Sequence, residues 1–301
     1  MHHREDDLPV DDGVRLFHQS WLPETAPRAD LLFVHGFTEH SSRHARLVEP
    51  LVERGLAVHA FDLRGHGRSS GDRVWVERFS RYADDFDRIW TTIRDSARSA
   101  TLEETGSPRR APRPCFAMGF SIGGVIVGQW AIRYQRDAAG LVLIAPAVSV
   151  GRNVFPWLRR IANLASRWLP RLRLVRLGCA NISSDPAVVE QFRHDPLVFH
   201  GRFPTRSGAE ILRAGEELLA NASQLRQPLL ILQGGGDRVV EPAAAEQLGQ
   251  AAGSADKTVR LYPGLFHEVH SEPSADRVLA DLLDWIESHM RAARDRPPPR
   301  T

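Results

Sequence analysis

The chain has 301 residues, 42% of them hydrophobic and 25% charged, and its 39 Lys+Arg against 37 Asp+Glu leave a formal net charge of +2. That excludes disordered, fibrous and disulfide-scaffold chains, and it fits one large α/β domain with an insertion or two smaller domains. Lysine occurs once, at Lys257, so the basic character rests on arginines scattered along the chain, and nucleic acid is not an expected partner.

The N-terminal stretch MHHREDDLPVDDG is charged and lacks the apolar core of a secretory signal, and no run approaches the roughly 18 apolar residues of a membrane span. A cytoplasmic location is the expectation. The two cysteines, Cys115 and Cys179, have no metal-ligand spacing and are read as free thiols.

In chain order, Val14 to Trp21, preceded by Asp11-Asp12-Gly13, predicts a hairpin that adds an antiparallel edge. Short apolar runs follow at Leu31 to Val34, Ala57 to Phe61, Cys115 to Gly119, Leu141 to Ile144, Leu229 to Leu232 and Thr258 to Leu261. They are continuous, not alternating, which suits strands buried on both faces of a parallel sheet. Amphipathic stretches between them predict helices at Arg43 to Arg54, Tyr82 to Ser96, Gly123 to Tyr134, Pro242 to Ala252 and Ser274 to Met290. The alternation defines an α/β fold with a mostly parallel central sheet flanked by helices. Glu103 to Pro114 reads as a surface loop.

From about Val150 to Gln227 the alternation stops. Residues 1–149 and 228–293 are therefore expected to form two parts of one core, 150–227 a helical cap or lid, and 294–301 a disordered tail. Within the insertion Val154, Trp157, Leu158, Ile161, Leu164, Ala165, Trp168 and Leu169 recur at helical spacing, with arginines opposite. Such a lid helix would close a pocket or rest on an anionic membrane surface, giving peripheral membrane contact.

Gly119-Phe120-Ser121-Ile122-Gly123 follows a strand run and opens a helix, the setting in which G-x-S-x-G makes a nucleophile elbow. The glycines are needed because the turn is too tight for side chains. A serine hydroxyl needs a base and the base needs an orienting carboxylate. Asp237, after the strand run Leu229 to Leu232, and His267, after the last strand, supply them in the order this chemistry uses; His270 is the competing base. Val34-His35-Gly36-Phe37 follows the first buried strand, so the backbone N–H groups of Phe37 and Ile122 are the expected oxyanion donors. Asp62 to Ser69 lacks both G-x-G-x-x-G and a P-loop lysine and is read as a structural turn. The thirteen histidines form no metal-binding array, and neither a metal nor another cofactor is expected.

Taken together these residues resemble the α/β-hydrolase superfamily, in particular its monoacylglycerol lipase and lysophospholipase-like branch. The resemblance runs from His35 to about Trp285 and rests on Val34-His35-Gly36-Phe37-Thr38-Glu39-His40-Ser41-Ser42-Arg43, on Asp62 to Gly71, on Asp195-Pro196-Leu197, on Asp256-Lys257-Thr258 and on Tyr262 to His270. It implies the α/β-hydrolase fold, a cap that shapes an acyl tunnel, and a small polar alcohol pocket lined by Glu39, Arg43 and His270. Three positions depart from the family pattern: Phe120 replaces a histidine, Ile122 a methionine, and Phe37 a small residue. The implied activity is hydrolysis of lipid esters, foremost monoacylglycerols to fatty acid and glycerol, through an acyl-enzyme. A lysophospholipase or a general carboxylesterase is the alternative, and a non-catalytic lipid-binding protein stands further off. The elbow serine disfavours epoxide hydrolases and haloalkane dehalogenases, which use aspartate there.

Overall fold

A computed structural model describes residues 1–105, 113–149 and 166–294. An eight-stranded sheet runs through the molecule in the order β1-β2-β4-β3-β5-β6-β9-β10. Its strands are β1 (His2–Pro9), β2 (Arg15–Leu22), β3 (Ala29–Val34), β4 (Leu56–Phe61), β5 (Cys115–Phe120), β6 (Gly140–Ile144), β9 (Leu229–Gly234) and β10 (Lys257–Tyr262). The first two pair antiparallel, β2 pairs antiparallel with β4, and every other neighbour is parallel. The apolar runs of β3, β5, β6 and β9 are buried along their whole length, because helices cover both faces of a parallel sheet. The flanking helices are α1 (Ala45–Glu53), α2 (Ser80–Thr105), α3 (Ile122–Tyr134), α6 (Pro242–Ala251) and α7 (Ala275–Arg294).

Two apolar cores result. One gathers Phe86, Trp90 and Trp130 from α2 and α3, and the other Leu47 and Leu51 of α1 with Leu282 and Ile286 of α7. Each helix buries the stripe its sequence period defines; α3 is the exception, buried nearly all round.

Between β6 and β9 the chain leaves the sheet. Among its described residues lie a two-stranded antiparallel pair, β7 (Arg173–Val175) with β8 (Phe203–Pro204), and the helices α4 (Pro186–His194) and α5 (Thr205–Ala220). This segment touches the loops at the carboxyl ends of the strands: Phe199 N–H donates to Thr38 O at 2.7 Å and Glu268 N–H to Ile182 O at 2.7 Å.

Several expectations change. The hairpin partner of β2 is the charged N-terminal stretch itself, whose side chains stand in solvent on both faces and so carry no apolar signal. The helix expected to end at Ser96 runs on to Thr105, through the start of the stretch read as a loop. The insertion contains two short strands where none was expected, too brief to show a pattern. Most of the lid helix expected at 154–169 and nearly all of the tail lie outside the described residues. At the opposite edge of the sheet from these loops, Lys257 heads β10 and donates to Ala252 O at 2.7 Å.

Candidate active site

In parallel α/β sheets, loops at the carboxyl ends of the strands converge where the strand order reverses. Here the chain goes from β3 outward to β4 on one side, then to β5 on the other. The loops after β3 and β5 are therefore neighbours, with Val34 opposite Gly119. Ser121 sits at the turn from β5 into α3 with φ 56° and ψ −117°, a conformation a side chain seldom adopts. A Cβ at Gly119 would lie 2.1 Å from Gly123 O, and one at Gly123 only 2.3 Å from Val34 O. Glycine at both positions is what lets the turn close against the β3 loop.

The loops after β9 and β10 bring Asp237 and His267 to the serine. His267 Nε2 lies 2.9 Å from Ser121 Oγ, and its Nδ1 lies 2.7 Å from Asp237 Oδ2. With Nδ1–H donated to the carboxylate, Nε2 is free to accept the hydroxyl proton. Asp237 is further fixed by the amides of Val239 and Val240, at 2.8 and 3.0 Å on Oδ1, and by Gln233 Nε2 at 2.9 Å on Oδ2. Burial alone would raise its pKa; the adjoining His267 and the two amides outweigh burial and hold the carboxyl below its ordinary value. All three side chains are buried.

Next to the elbow lies the loop carrying Phe37. Its ring packs against His66 and, edge-on, against Phe203 of β8 at 5.3 Å. The Asp62 turn braces this loop: Asp62 Oδ1 accepts from Ser41 N–H at 2.7 Å and Ser41 Oγ at 2.6 Å, and Oδ2 accepts from Arg68 N–H at 2.8 Å. His40 Nε2 meets Asp195 Oδ2 at 2.8 Å, joining the loop to the inserted segment.

Glu39, Arg43 and His270 come together beside Phe120, Glu39 and His270 buried and Arg43 partly so, each bonded to protein groups. His270 is 5.1 Å from Phe120, ring to ring, while the partner of Ser121 Oγ is His267. Two further members of this group were not singled out: Glu268, although it lies within the Tyr262 to His270 motif, and His44, which only its nearness to Arg43 in sequence could have suggested. Among the described residues His44, Glu268 and His270 offer possible metal-ligand atoms within 4.8 Å of one another. The two rings meet at 2.9 Å and Ser271 Oγ donates to Glu268 at 2.8 Å, while His44 Nε2 and His270 Nδ1 have no hydrogen-bond partner among the described residues. Gln233, the one long polar residue of an otherwise apolar strand, was the legible but unread signal for a carboxylate partner.

A serine at a strained strand-to-helix turn, hydrogen-bonded to a histidine that is itself held by an aspartate, on this sheet, defines an α/β-hydrolase. Comparison with known proteins agrees: residues 25–274 match the family described as serine aminopeptidase, S33. The chain belongs to this family, and to its monoacylglycerol lipase type. It is 33% identical to a monoacylglycerol lipase of Mycolicibacterium smegmatis over 92% of this chain and 95% of that one. A monoacylglycerol lipase structure from Paleococcus ferrophilus superposes with a TM-score of 0.77 at 27% identity, covering 91% of this chain and 99% of that one. A soluble variant of the Saccharomyces cerevisiae monoglyceride lipase shares the fold, with a TM-score of 0.82 at 22% identity over 96% and 95% of the two chains.

Proposed function

We propose that this protein hydrolyses carboxylic esters of lipids, foremost monoacylglycerols, to fatty acid and alcohol through an acyl-enzyme. The observation that carries the reading is the unbroken chain Ser121, His267, Asp237, with spacings of 2.9 and 2.7 Å at the elbow. Ser121 Oγ attacks the ester carbonyl while His267 Nε2 takes its proton, and the carbonyl oxygen becomes an oxyanion received by the N–H groups of Phe37 and Ile122. His267 then protonates the leaving alcohol, and water repeats the sequence on the acyl-enzyme. Asp237 keeps the imidazole oriented and stabilises its charged form. Each oxyanion donor contributes about 3 kcal/mol to lowering the barrier. Glu39, Arg43 and His270 are assigned to the lining of the alcohol pocket, a reading supported by their meeting beside Phe120, whose ring also lies 5.0 Å from that of His267.

In this reading residues 150–227 form the cap, and the cap meets a membrane surface. Support comes from one exposed stretch in which Trp168, Leu169, Leu172, Leu174, Val175 and Leu177 stand in solvent among Arg167, Arg171, Arg173 and Arg176. Aromatic and aliphatic side chains interleaved with arginine suit an anionic lipid interface. No helix among the described residues is long and apolar enough to cross a membrane.

The test is release of free fatty acid from monoacylglycerols, lysophosphatidylcholine and p-nitrophenyl esters by wild type and Ser121→Ala. Turnover of monoacylglycerol in wild type and a fall in kcat of about 10⁶ in the variant are expected. Preference for lysophosphatidylcholine would move the reading to a lysophospholipase, and inactivity on every ester would end it.

A further inference from the structure

One edge of the sheet is open. Strand β1 pairs with β2 on one side only, and every side chain from His2 to Asp7 is exposed, so among the described residues no element covers its outer row of N–H and C=O groups. Such a row is a template for a further strand. The side chains of β1 decide which strand can be added.

Those side chains alternate between the two faces of the sheet. On one face His3 stacks on Trp21 and meets Gln19 Oε1 at 3.1 Å, Glu5 pairs with Arg68 at 2.9 Å, and Asp7 pairs with Arg15. On the other face Arg4 and Asp6 stand beside Ser20 and His18 of β2, and among the described residues neither has an ion-pair or hydrogen-bond partner. Charge also follows position along the strand. The basic residues His2, His3 and Arg4 come first, and the acidic residues Glu5, Asp6 and Asp7 follow.

A second copy of β1 laid parallel would set each charge against itself. Laid antiparallel, it sets the basic half of one strand against the acidic half of the other. The two copies are then related by a twofold axis normal to the sheet, and residues opposite one another must point to the same face. Only registers centred on a residue satisfy both conditions. With Arg4 or Asp6 on the axis, like charges meet directly, and with His3 there Arg4 faces only His2. With Glu5 on the axis, Arg4 lies opposite the partner's Asp6 and Asp6 opposite the partner's Arg4, so both unpaired charges gain a counter-ion. His3 then lies opposite the partner's Asp7. The two Glu5 carboxylates that meet on the axis are each held already by Arg68 of their own chain. Pro9, without an N–H to give, ends the ladder. The far edge of the sheet has no such pattern, since β10 carries Lys257 and Arg260 and no acidic residue.

We propose that β1 is a self-association strand: it pairs antiparallel with β1 of a second copy of this chain about a twofold at Glu5, and joins two eight-stranded sheets edge to edge. Charged edge strands ordinarily repel further strands. Here the order of signs repels foreign strands and admits its own copy. An interface of one strand from each side is small, in the size class of transient complexes.

The experiment is sedimentation equilibrium of the full chain, free of any N-terminal tag, from about 1 to 500 µM at low salt, on wild type, Arg4→Asp, Asp6→Arg and the double exchange. Wild type is expected to dimerise with a Kd of about 10–100 µM. Each single variant turns two opposite-charge cross-strand pairs into two like-charge pairs, and its Kd should rise about tenfold or more. The double exchange restores the pairs in reversed order and should dimerise within about threefold of wild type. An equimolar mixture of the two single variants should form the mixed dimer, because the two aspartates of one chain then face the two arginines of the other. Tm, read alongside, should stay within about 2 °C of wild type because both positions are exposed. Should one single variant not fold, the other and the double exchange decide. A wild type that stays monomeric to about 500 µM, single variants that dimerise as wild type does, or a double exchange and a mixture that remain monomeric overturns the inference. Growth past the dimer also overturns it, since that would join β1 of one copy to β10 of the next. Each of these outcomes is independent of whether the protein hydrolyses esters.

Discussion

Asp237 accepts four hydrogen bonds from His267, Gln233, Val239 and Val240, and at this scale a change of one atom is decisive. Asp237→Asn keeps the shape but offers an N–H where His267 needs an acceptor, favouring the wrong imidazole tautomer. Steady-state kinetics should show kcat down by about 10⁴ with KM little changed. Gly123→Ala places a methyl 2.3 Å from the carbonyl oxygen of Val34, part of the loop that carries Phe37. Backbone cannot yield as a flexible side chain does, so Tm should drop by an amount matching about 1–3 kcal/mol and turnover should disappear, while the same change at exposed Gly178 leaves both intact.

Elements differ in how openly the sequence declares them. The strands β3, β5, β6 and β9 were legible because burial on both faces leaves unbroken apolar runs, and α7 because its stripe repeats over twenty residues. Strand β1 was not, since every side chain but Leu8 is exposed and its side-chain contacts to β2 are polar or aromatic stacking, with no apolar run to read. The serine, histidine and aspartate could be read from glycine-bounded motifs after strands. Glu39, Arg43 and His270 were grouped only through the family resemblance, and His44 and Glu268 were not, because the group meets only when the loops after β3 and β10 fold together. The exposed arginine and tryptophan stretch at 167–176 belongs to this scale too. Replacing Trp168 by serine, with Arg171 and Arg176 by glutamine, should weaken sedimentation with vesicles containing phosphatidylserine, by about 1 kcal/mol for each arginine, and leave p-nitrophenyl ester hydrolysis unchanged. Added salt should mimic the arginine changes.

Across the whole molecule, buried histidines tie stability to pH. Burial lowers His18, His35 and His66 each to about 3, from 6.5. As pH falls below 6.5 the unfolded chain takes up protons that the folded chain refuses until about 3. Stability is thus fully present above that window and is lost progressively through it. Thermal unfolding followed from pH 7.5 down to 4.5 should show a steadily falling Tm, and a flat profile would contradict the burial of neutral rings.

Lys257 gives the fold a handle. It is the one lysine, and it heads β10 at the sheet edge remote from Ser121. The amine of Met1, ion-paired with Glu24 at 3.0 Å, lies on the opposite edge strand but at the same end of the sheet, since β2 ends beside the start of β4. Amine-directed coupling to a solid support would therefore grip the molecule from behind and present the serine outward, an orientation that most lysine-rich surfaces scramble.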